Sequence, residues 1–358
     1  MFIHILWFVV GLIALIRGGD WFVDGATGIA KKFNIPDLLI GATVVSIGTT
    51  LPEVMVSATS AAQGYGAMAY GNAIGSIICN TALIAALTIA IRPAAIRKED
   101  MVTPVIFFFI AAAFYAGTAY ITGNFTRLTG VILLCMFVIY MFVVIRQALK
   151  ERKLTAEVTP AQPAAGTIKP AAGSGAAQQT AASGSESAET GKKENKLVRR
   201  CVLDLIVGAI CIAVGSKLLV EHGVEIAEAM GVPQTVIALT FVALGTSLPE
   251  LVTAITSLAK GHGALSVGNI CGANLFNLVL VSGISIVIGP FSFAKPDFAT
   301  LVLFEKEYFS SLIIDTPLMI LVMVIMTIPA LIAGKLKRWQ GILLLCIYAA
   351  FCIYQFCG

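Results

Sequence analysis

The chain has 358 residues, of which 58% are hydrophobic and 12% are charged, and its mean hydropathy is +0.91. This composition excludes an ordinary soluble domain. The formal net charge of +4 reflects an uneven distribution of basic residues between loops and does not indicate nucleic-acid binding.

Apolar runs of about twenty residues recur along the chain, and each is long enough to cross a bilayer core of about 30 Å. We therefore predict an all-α integral membrane protein with ten transmembrane helices. The predicted spans are about 4–29, 36–62, 65–91, 102–122, 127–149, 198–228, 233–259, 263–289, 312–333 and 338–357.

Basic residues concentrate in alternate loops between these spans, around Lys31, Arg92, Lys150, Lys260 and Lys335. The positive-inside rule places such loops in the cytoplasm. Both termini are then expected outside the cell. We expect the protein to reside in a bacterial inner (plasma) membrane.

Residues 151–196 interrupt the apolar pattern, because Ala, Gly, Ser, Thr, Gln and Pro dominate there. A segment of this composition has little apolar surface to bury and is predicted to be a disordered cytoplasmic linker. It separates a first half, 1–150, from a second half, 197–358, and each half has five predicted spans. Because five is odd, the second half enters the membrane from the opposite side, which predicts two inverted five-helix repeats.

The two halves share a motif: Gly48–Glu53 (GTTLPE) recurs as Gly245–Glu250 (GTSLPE), 197 residues later. The match runs without a gap from 40–80 onto 237–277, with 18 of 41 positions identical. Glycine and proline weaken a helix, so the central helices are predicted to be broken near both glutamates. A carboxylate at membrane depth costs roughly 2.5–3.5 kcal/mol on insertion scales and indicates a functional site.

Each repeat adds hydroxyl and amide oxygens to its carboxylate. The candidate ligands are Glu53, Thr49, Thr50 and Asn80 in the first repeat and Glu250, Thr246, Ser247 and Asn277 in the second. An all-oxygen set of this size suits a hard cation such as Ca²⁺, which takes about six to eight oxygen ligands. No thiolate or histidine cluster competes with these oxygens, since the chain has only three histidines and no CxxC motif, so zinc, copper or iron is not expected at this site, and no cofactor is expected.

Two carboxylates neutralise one Ca²⁺, whereas an empty pair repels and favours the uptake of Na⁺ or protons. This difference predicts exchange of Ca²⁺ against Na⁺ or H⁺. A passive cation channel is an alternative, but paired carboxylates in an inverted repeat favour occlusion over an open pore. An intramembrane enzyme is another, but the sequence has no HExxH, Walker loop or Ser/His arrangement.

Both copies resemble the alpha repeats of the calcium/cation antiporter superfamily, the sodium/calcium exchangers and their prokaryotic relatives. The matching stretches are Gly48–Glu53 with Gly71–Asn80, and Gly245–Glu250 with Gly268–Asn277. The resemblance implies that four central broken helices form the ion sites while the first and sixth spans rock against them. It implies Ca²⁺ export against Na⁺ entry by alternating access, with coupling to H⁺, or transport of another cation, as the open alternatives.

The resemblance also implies individual roles. The two glutamates, the threonines with their adjacent hydroxyls and the two asparagines match calcium-site positions. Ser76 matches a serine of a sodium site, and the backbone carbonyls of Ser46 and Ala243 would be further sodium ligands. Ala273 stands where the second repeat often has serine, which predicts a weaker sodium site. Beyond the transported ions and the lipid bilayer, no obligate protein partner is expected.

Overall fold

The structure is a computed structural model, and it describes residues 2–33, 35, 37–64, 66–93, 95–158, 183–229, 245, 247–293, 300–303, 306–309 and 311–357. The first half is helical apart from one short strand. Its elements are α1 (Phe2–Phe33), α2 (Asp37–Ile40), π1 (Gly41–Val45), α3 (Ser46–Ala62), α4 (Gly66–Cys79), π2 (Asn80–Ala85), α5 (Ala86–Ile91), α6 (Lys98–Thr122), β1 (Asn124–Phe125) and α7 (Arg127–Val158).

The second half begins with a long helix and contains the other three short strands. Its elements are α8 (Ser183–Ala229), α9 (Leu248–Ala259), α10 (Gly263–Phe276), π3 (Asn277–Val281), α11 (Ser282–Ile288), β2 (Phe291–Ser292), β3 (Thr300–Leu303), β4 (Lys306–Phe309), π4 (Ser311–Asp315), α12 (Thr316–Ala333) and α13 (Arg338–Cys357). The strands form two antiparallel pairs, β1 with β2 and β3 with β4.

Membrane-length apolar helices account for much of the described chain. Six stretches are long and apolar enough to cross a bilayer: Phe2–Phe33, Ala69–Ile91, Met101–Thr122, Arg127–Gln147, Leu265–Ile288 and Leu312–Ala333. Two shorter apolar helices, Leu248–Ala259 and Arg338–Tyr354, coincide with parts of further predicted spans. The predicted all-α membrane fold is thereby confirmed, since the helices follow the apolar runs of the sequence.

The interruption in the first half differs in place from the prediction, whereas the one in the second half lies near its predicted place. In the first half, α3 runs unbroken through Pro52, and the backbone widens about two to three turns earlier, in π1. In the second half, the helix begins at Leu248, directly before Pro249, and Ser247 has a non-helical backbone at φ −90°, ψ 3°. Proline is tolerated in the first turn of a helix, because the N–H it lacks would have no partner there.

Two further wide turns begin at equivalent positions of the repeat. Asn80 opens π2 and Asn277 opens π3, and both asparagines are fully buried. A π turn shifts the hydrogen-bond register by one residue and is frequent at functional sites. It also redirects the side chains that follow, which neither residue type nor spacing predicts.

Helices from the two halves pack closely at several glycines, of which Gly18 and Gly272 are examples. A Cβ built on Gly18 of α1 would lie 2.9 Å from the carbonyl oxygen of Gly208 in α8. A Cβ built on Gly272 of α10 would lie 2.7 Å from both Cα and O of Ala42 in π1. Glycine allows helix axes to approach this closely in a membrane protein. The halves are therefore interleaved, which brings their central helices together.

The predicted cytoplasmic loops meet at one end of the bundle. Three basic side chains donate to carbonyl oxygens across these loops: Arg92 to Leu258 at 3.4 Å, Arg338 to Ile91 at 3.3 Å and Lys98 to Ile332 at 2.9 Å. Pairing of β1 with β2 joins the loops after Thr122 and Ile288, which the prediction places on the opposite, external side. This grouping is compatible with the predicted orientation, in which basic loops share one side.

The predicted linker is partly helical. Helix α7 extends to Val158 and α8 begins at Ser183, so residues 151–158 and 183–196 are helical where disorder was predicted. Both stretches contain Glu, Lys and Ala, which favour helices. Residues 159–182 lie outside the described part of the chain, and there the linker remains a prediction.

Replacing residues 160–181 by a Gly/Ser segment of equal length is expected to leave transport unchanged within about twofold, because a flexible tether acts through its length. Ion flux into vesicles, normalised to protein content, measures this. A loss of flux with normal insertion would show that the native linker sequence participates in transport.

Candidate cation site

Two carboxylates from the two repeats lie together inside the bundle. Glu53 on α3 and Glu250 on α9 are both completely buried. They are near enough for Coulomb repulsion when both are charged. Thr49, one turn before Glu53, lies beside Glu250. Side chains from both halves of the chain therefore contribute to one cluster.

Oxygens of this cluster lack partners among the described residues. The predicted ligands with buried side-chain atoms that make no hydrogen bond there are Thr50, Glu53, Asn80, Ser247, Glu250 and Asn277. A buried polar group without a partner costs about 1–3 kcal/mol, and a charged group costs more. These unpartnered oxygens, which include both carboxylates, are suited to coordinate a hard cation.

Two other predicted residues are occupied by protein contacts. The Ser46 hydroxyl donates to the Gly41 carbonyl at 2.7 Å and to the Asn269 carbonyl at 2.9 Å. The Thr49 hydroxyl donates to Oδ1 of Asn269 at 3.3 Å. These bonds attach the first repeat to α10 of the second and position Thr49 beside the carboxylates. The role predicted for Ser46 uses its backbone carbonyl, which accepts a long hydrogen bond of 3.5 Å from the Thr49 hydroxyl.

The equivalent asparagines Asn72 and Asn269 position helices. Asn72 donates to the Glu53 carbonyl at 3.2 Å and to the Ser57 hydroxyl at 2.8 Å, and this links α4 to α3. The second repeat has Ala254 where the first has Ser57, and Nδ2 of Asn269 has no partner among the described residues. Asn72 and Asn269 occupy equivalent positions of the two repeats. Their contacts with other protein groups, and not their positions in the sequence, indicate that they position helices and do not bind an ion.

For the remaining predicted ligands the structure gives burial or no description. Ser76 on α4 is buried, with 4% of its surface exposed. Ala273 on α10 is fully buried and carries no hydroxyl. Thr246 and Ala243 lie outside the described residues.

Polar atoms continue beyond the carboxylates along one face of α9. Thr253 and Ser257 follow Glu250 at i+3 and i+7, and both hydroxyls are buried without a partner among the described residues. The Ser266 hydroxyl on α10 is also buried without a partner among the described residues. Ser266 lines a small pocket together with Thr88 and Arg92 at the basic end of the bundle. The motif comparison missed this stripe, because Thr253 has no polar counterpart in the first repeat. Helical spacing from Glu250 was the signal that could have found it.

Comparison with known proteins places these observations in a family. The sequence profile of the sodium/calcium exchanger protein family matches residues 3–146 and 202–357. An uncharacterized membrane protein of Methanocaldococcus jannaschii is 31% identical over 342 residues, covering 96% of this chain and 94% of that protein. Sodium/calcium exchanger MaX1 of Methanosarcina acetivorans is 28% identical over 376 residues, covering 99% of each.

A solved structure shares the fold as well. The sodium-calcium exchanger NCX_Mj, in crystals soaked with Na⁺ and Sr²⁺, superposes with a TM-score of 0.72 at 27% identity, covering 97% of this chain and 96% of that one. The predicted resemblance is confirmed by both comparisons. The chain therefore belongs to the sodium/calcium exchanger protein family and is a membrane transporter rather than an enzyme.

Proposed function

We propose that this protein exchanges Ca²⁺ for Na⁺ across the membrane by alternating access, with the ions held between the two repeats. The buried pair Glu53 and Glu250 carries this proposal. Two carboxylates match the charge of one Ca²⁺, so the loaded site adds no net charge to the apolar interior. Without Ca²⁺ the pair needs monovalent cations or protons to offset the repulsion between its charges.

The ligand shell of the Ca²⁺ is proposed to come from both halves. Glu53, Glu250, Thr50, Asn80 and Asn277 offer oxygens that no other described residue uses. The Ser247 hydroxyl and the Thr49 and Thr246 positions complete the set from the motif. Sodium would use Ser76 and the carbonyls of Ser46 and Ala243, as the family resemblance implies.

Alternating access requires the site to open to each side in turn. We infer that the stripe Thr253, Ser257 and Ser266 becomes hydrated when the basic, cytoplasmic end opens, because water would then satisfy these buried hydroxyls. At the same end Lys260 forms ion pairs with Asp24 at 2.9 Å and Asp20 at 3.3 Å, joining α9 to α1. Partly exposed pairs of this kind contribute about 0–1 kcal/mol, so they break readily during a conformational change.

The decisive experiment is Ca²⁺ flux into vesicles that contain the purified protein. An outward Na⁺ gradient is expected to drive Ca²⁺ uptake, and dissipating the gradient should stop it. Uptake without any counter-ion gradient would instead indicate a channel. The same assay under a pH gradient tests H⁺ coupling, which the buried carboxylate pair also supports, since protonation would discharge it. If Ca²⁺ flux is insensitive to the Na⁺ gradient and is driven by the pH gradient, the coupling ion is H⁺ and not Na⁺.

Restoring the missing hydroxyl at Ala273 is expected to strengthen sodium binding. In Ala273→Ser the half-activating Na⁺ concentration should fall about fivefold, since one hydrogen-bonding oxygen contributes about 1 kcal/mol. Ca²⁺ affinity should be unchanged, because the carboxylates are untouched. Flux measured against Na⁺ concentration tests this, with Ala112→Ser on α6 as a buried control away from the site. Equal Na⁺ dependence in both variants would exclude position 273 from sodium binding.

A further inference from the structure

Two of the three histidines in the chain face each other across the two halves. His4 is in the first turns of α1 and His222 is near the end of α8, and both rings are partly buried. Their Nδ1 atoms are 3.3 Å apart. The ring centroids are 5.3 Å apart, with an angle of 63° between the ring planes. Trp7 stacks on His222 with a centroid separation of 6.4 Å.

The distance between the two nitrogens matches a shared metal ion. Nitrogen ligands bind Zn²⁺ at about 2.0–2.1 Å, so two of them on one tetrahedral ion lie about 3.3–3.4 Å apart. We propose that His4 and His222 form a binding site for a borderline transition-metal cation such as Zn²⁺, Ni²⁺ or Cu²⁺. The metal would take the place of the hydrogen that the two Nδ1 atoms can share. The donor ring would then carry its proton on Nε2, so two neutral rings bind without losing a proton.

The chemistry of this site differs from that of the buried carboxylates. Imidazole nitrogen favours Zn²⁺, Ni²⁺ and Cu²⁺, whereas Ca²⁺ favours oxygen ligands. The described residues contain no group of three or more metal-binding His, Cys, Asp or Glu side chains, so the two nitrogens define the site. Water would complete the coordination.

Metal binding would cross-link α1 and α8. These helices already approach closely at Gly18 and Gly208, further from the ends that carry the histidines. A metal shared by His4 and His222 would tie the adjacent ends of the same pair. Because the ion binds the folded protein and not the separated helices, it should raise the thermal stability of the protein.

Tryptophan fluorescence provides a test that does not depend on transport. In a Trp21→Phe, Trp339→Phe background, Trp7 is the only tryptophan. Titration of the purified full-length protein with Ni²⁺ is expected to quench its emission, and a chelator should reverse this. His4→Gln or His222→Gln should weaken quenching at least about tenfold, the scale of losing one contributing group at a metal site. His262→Gln, at the third histidine, is the matched control and should titrate normally.

Melting temperature with and without Zn²⁺ gives a second measurement. Zn²⁺ should raise it in the parent and in His262→Gln, and leave it unchanged in His4→Gln and His222→Gln. If a glutamine variant fails to fold, His4→Cys supplies a thiolate in place of imidazole and should retain metal-dependent quenching. Quenching that is absent, or equal in all variants, would show that the two rings only share a hydrogen bond. These outcomes are independent of whether the exchanger uses Na⁺ or H⁺.

Discussion

Glu53→Gln and Glu250→Gln are each expected to abolish Ca²⁺ transport. Glutamine keeps the shape of the side chain but leaves one positive charge of the ion uncompensated in a buried site. Two unit charges about 4 Å apart attract by about 4 kcal/mol at an effective dielectric constant of about 20, so the loss for a divalent ion is at least this large. This corresponds to a loss in affinity of roughly a thousandfold. Ca²⁺ flux into vesicles is the measurement.

The same variants are expected to fold normally, because the change removes the repulsion between two buried carboxylates. Melting temperature in ion-free buffer should be equal to or above that of the parent, while stabilisation by added Ca²⁺ should disappear. Glu99→Gln, on the exposed start of α6, is the matched control and should retain both flux and Ca²⁺ stabilisation. Near-normal Ca²⁺ flux in either glutamate variant would remove the carboxylate pair from the proposed site.

Much of the fold could be predicted because the bilayer restricts what an apolar chain can do. A run of about twenty apolar residues must satisfy its own backbone hydrogen bonds, and a helix does so within one segment. The runs at 102–122 and 127–149 accordingly correspond to α6 and α7. The charged sequence at 151–158 carries no such restriction, and there local helix propensity extended α7 beyond the predicted end.

The two carboxylates of the candidate site could also be predicted from the sequence. A motif that contains Glu53 and returns as Glu250 is hard to explain by packing alone, and the structure brings both side chains into one buried cluster. The partners of Asn269 could not be predicted, since they are side chains of the other half, Ser46 and Thr49. The wide turns at Asn80 and Asn277 depend on hydrogen-bond register, for which the residues give no signal.

The contact between Gly272 and π1 leads to the second large effect, loss of stability in Gly272→Ala. A Cβ at this position would lie 2.7 Å from the backbone of Ala42 and would also overlap the Ser46 hydroxyl. Backbone atoms cannot rotate away, so α10 and π1 must separate. Overpacking of this kind costs about 1–3 kcal/mol. Melting temperature and Ca²⁺ flux should both fall.

Gly117→Ala on α6 is the control for Gly272→Ala, because no described atom lies within 4 Å of a Cβ built there. Alanine is a better helix former than glycine by about 1 kcal/mol, so this control should match or exceed the parent in stability. If Gly272→Ala behaves like Gly117→Ala, the halves do not pack this closely at Gly272.

Gly41→Ala changes the π1 side of the interface between π1 and α10. Its Cβ would lie 2.8 Å from the backbone nitrogen of Asn269. Once either alanine has forced α10 and π1 apart, the other finds more space. The double variant Gly41→Ala, Gly272→Ala should therefore lose less stability than the sum of the single losses. Separation should also break the hydrogen bonds that the Ser46 and Thr49 hydroxyls donate to Asn269, so Thr49 would no longer be held beside Glu250. Additive losses would instead mean that the two glycines make independent contacts.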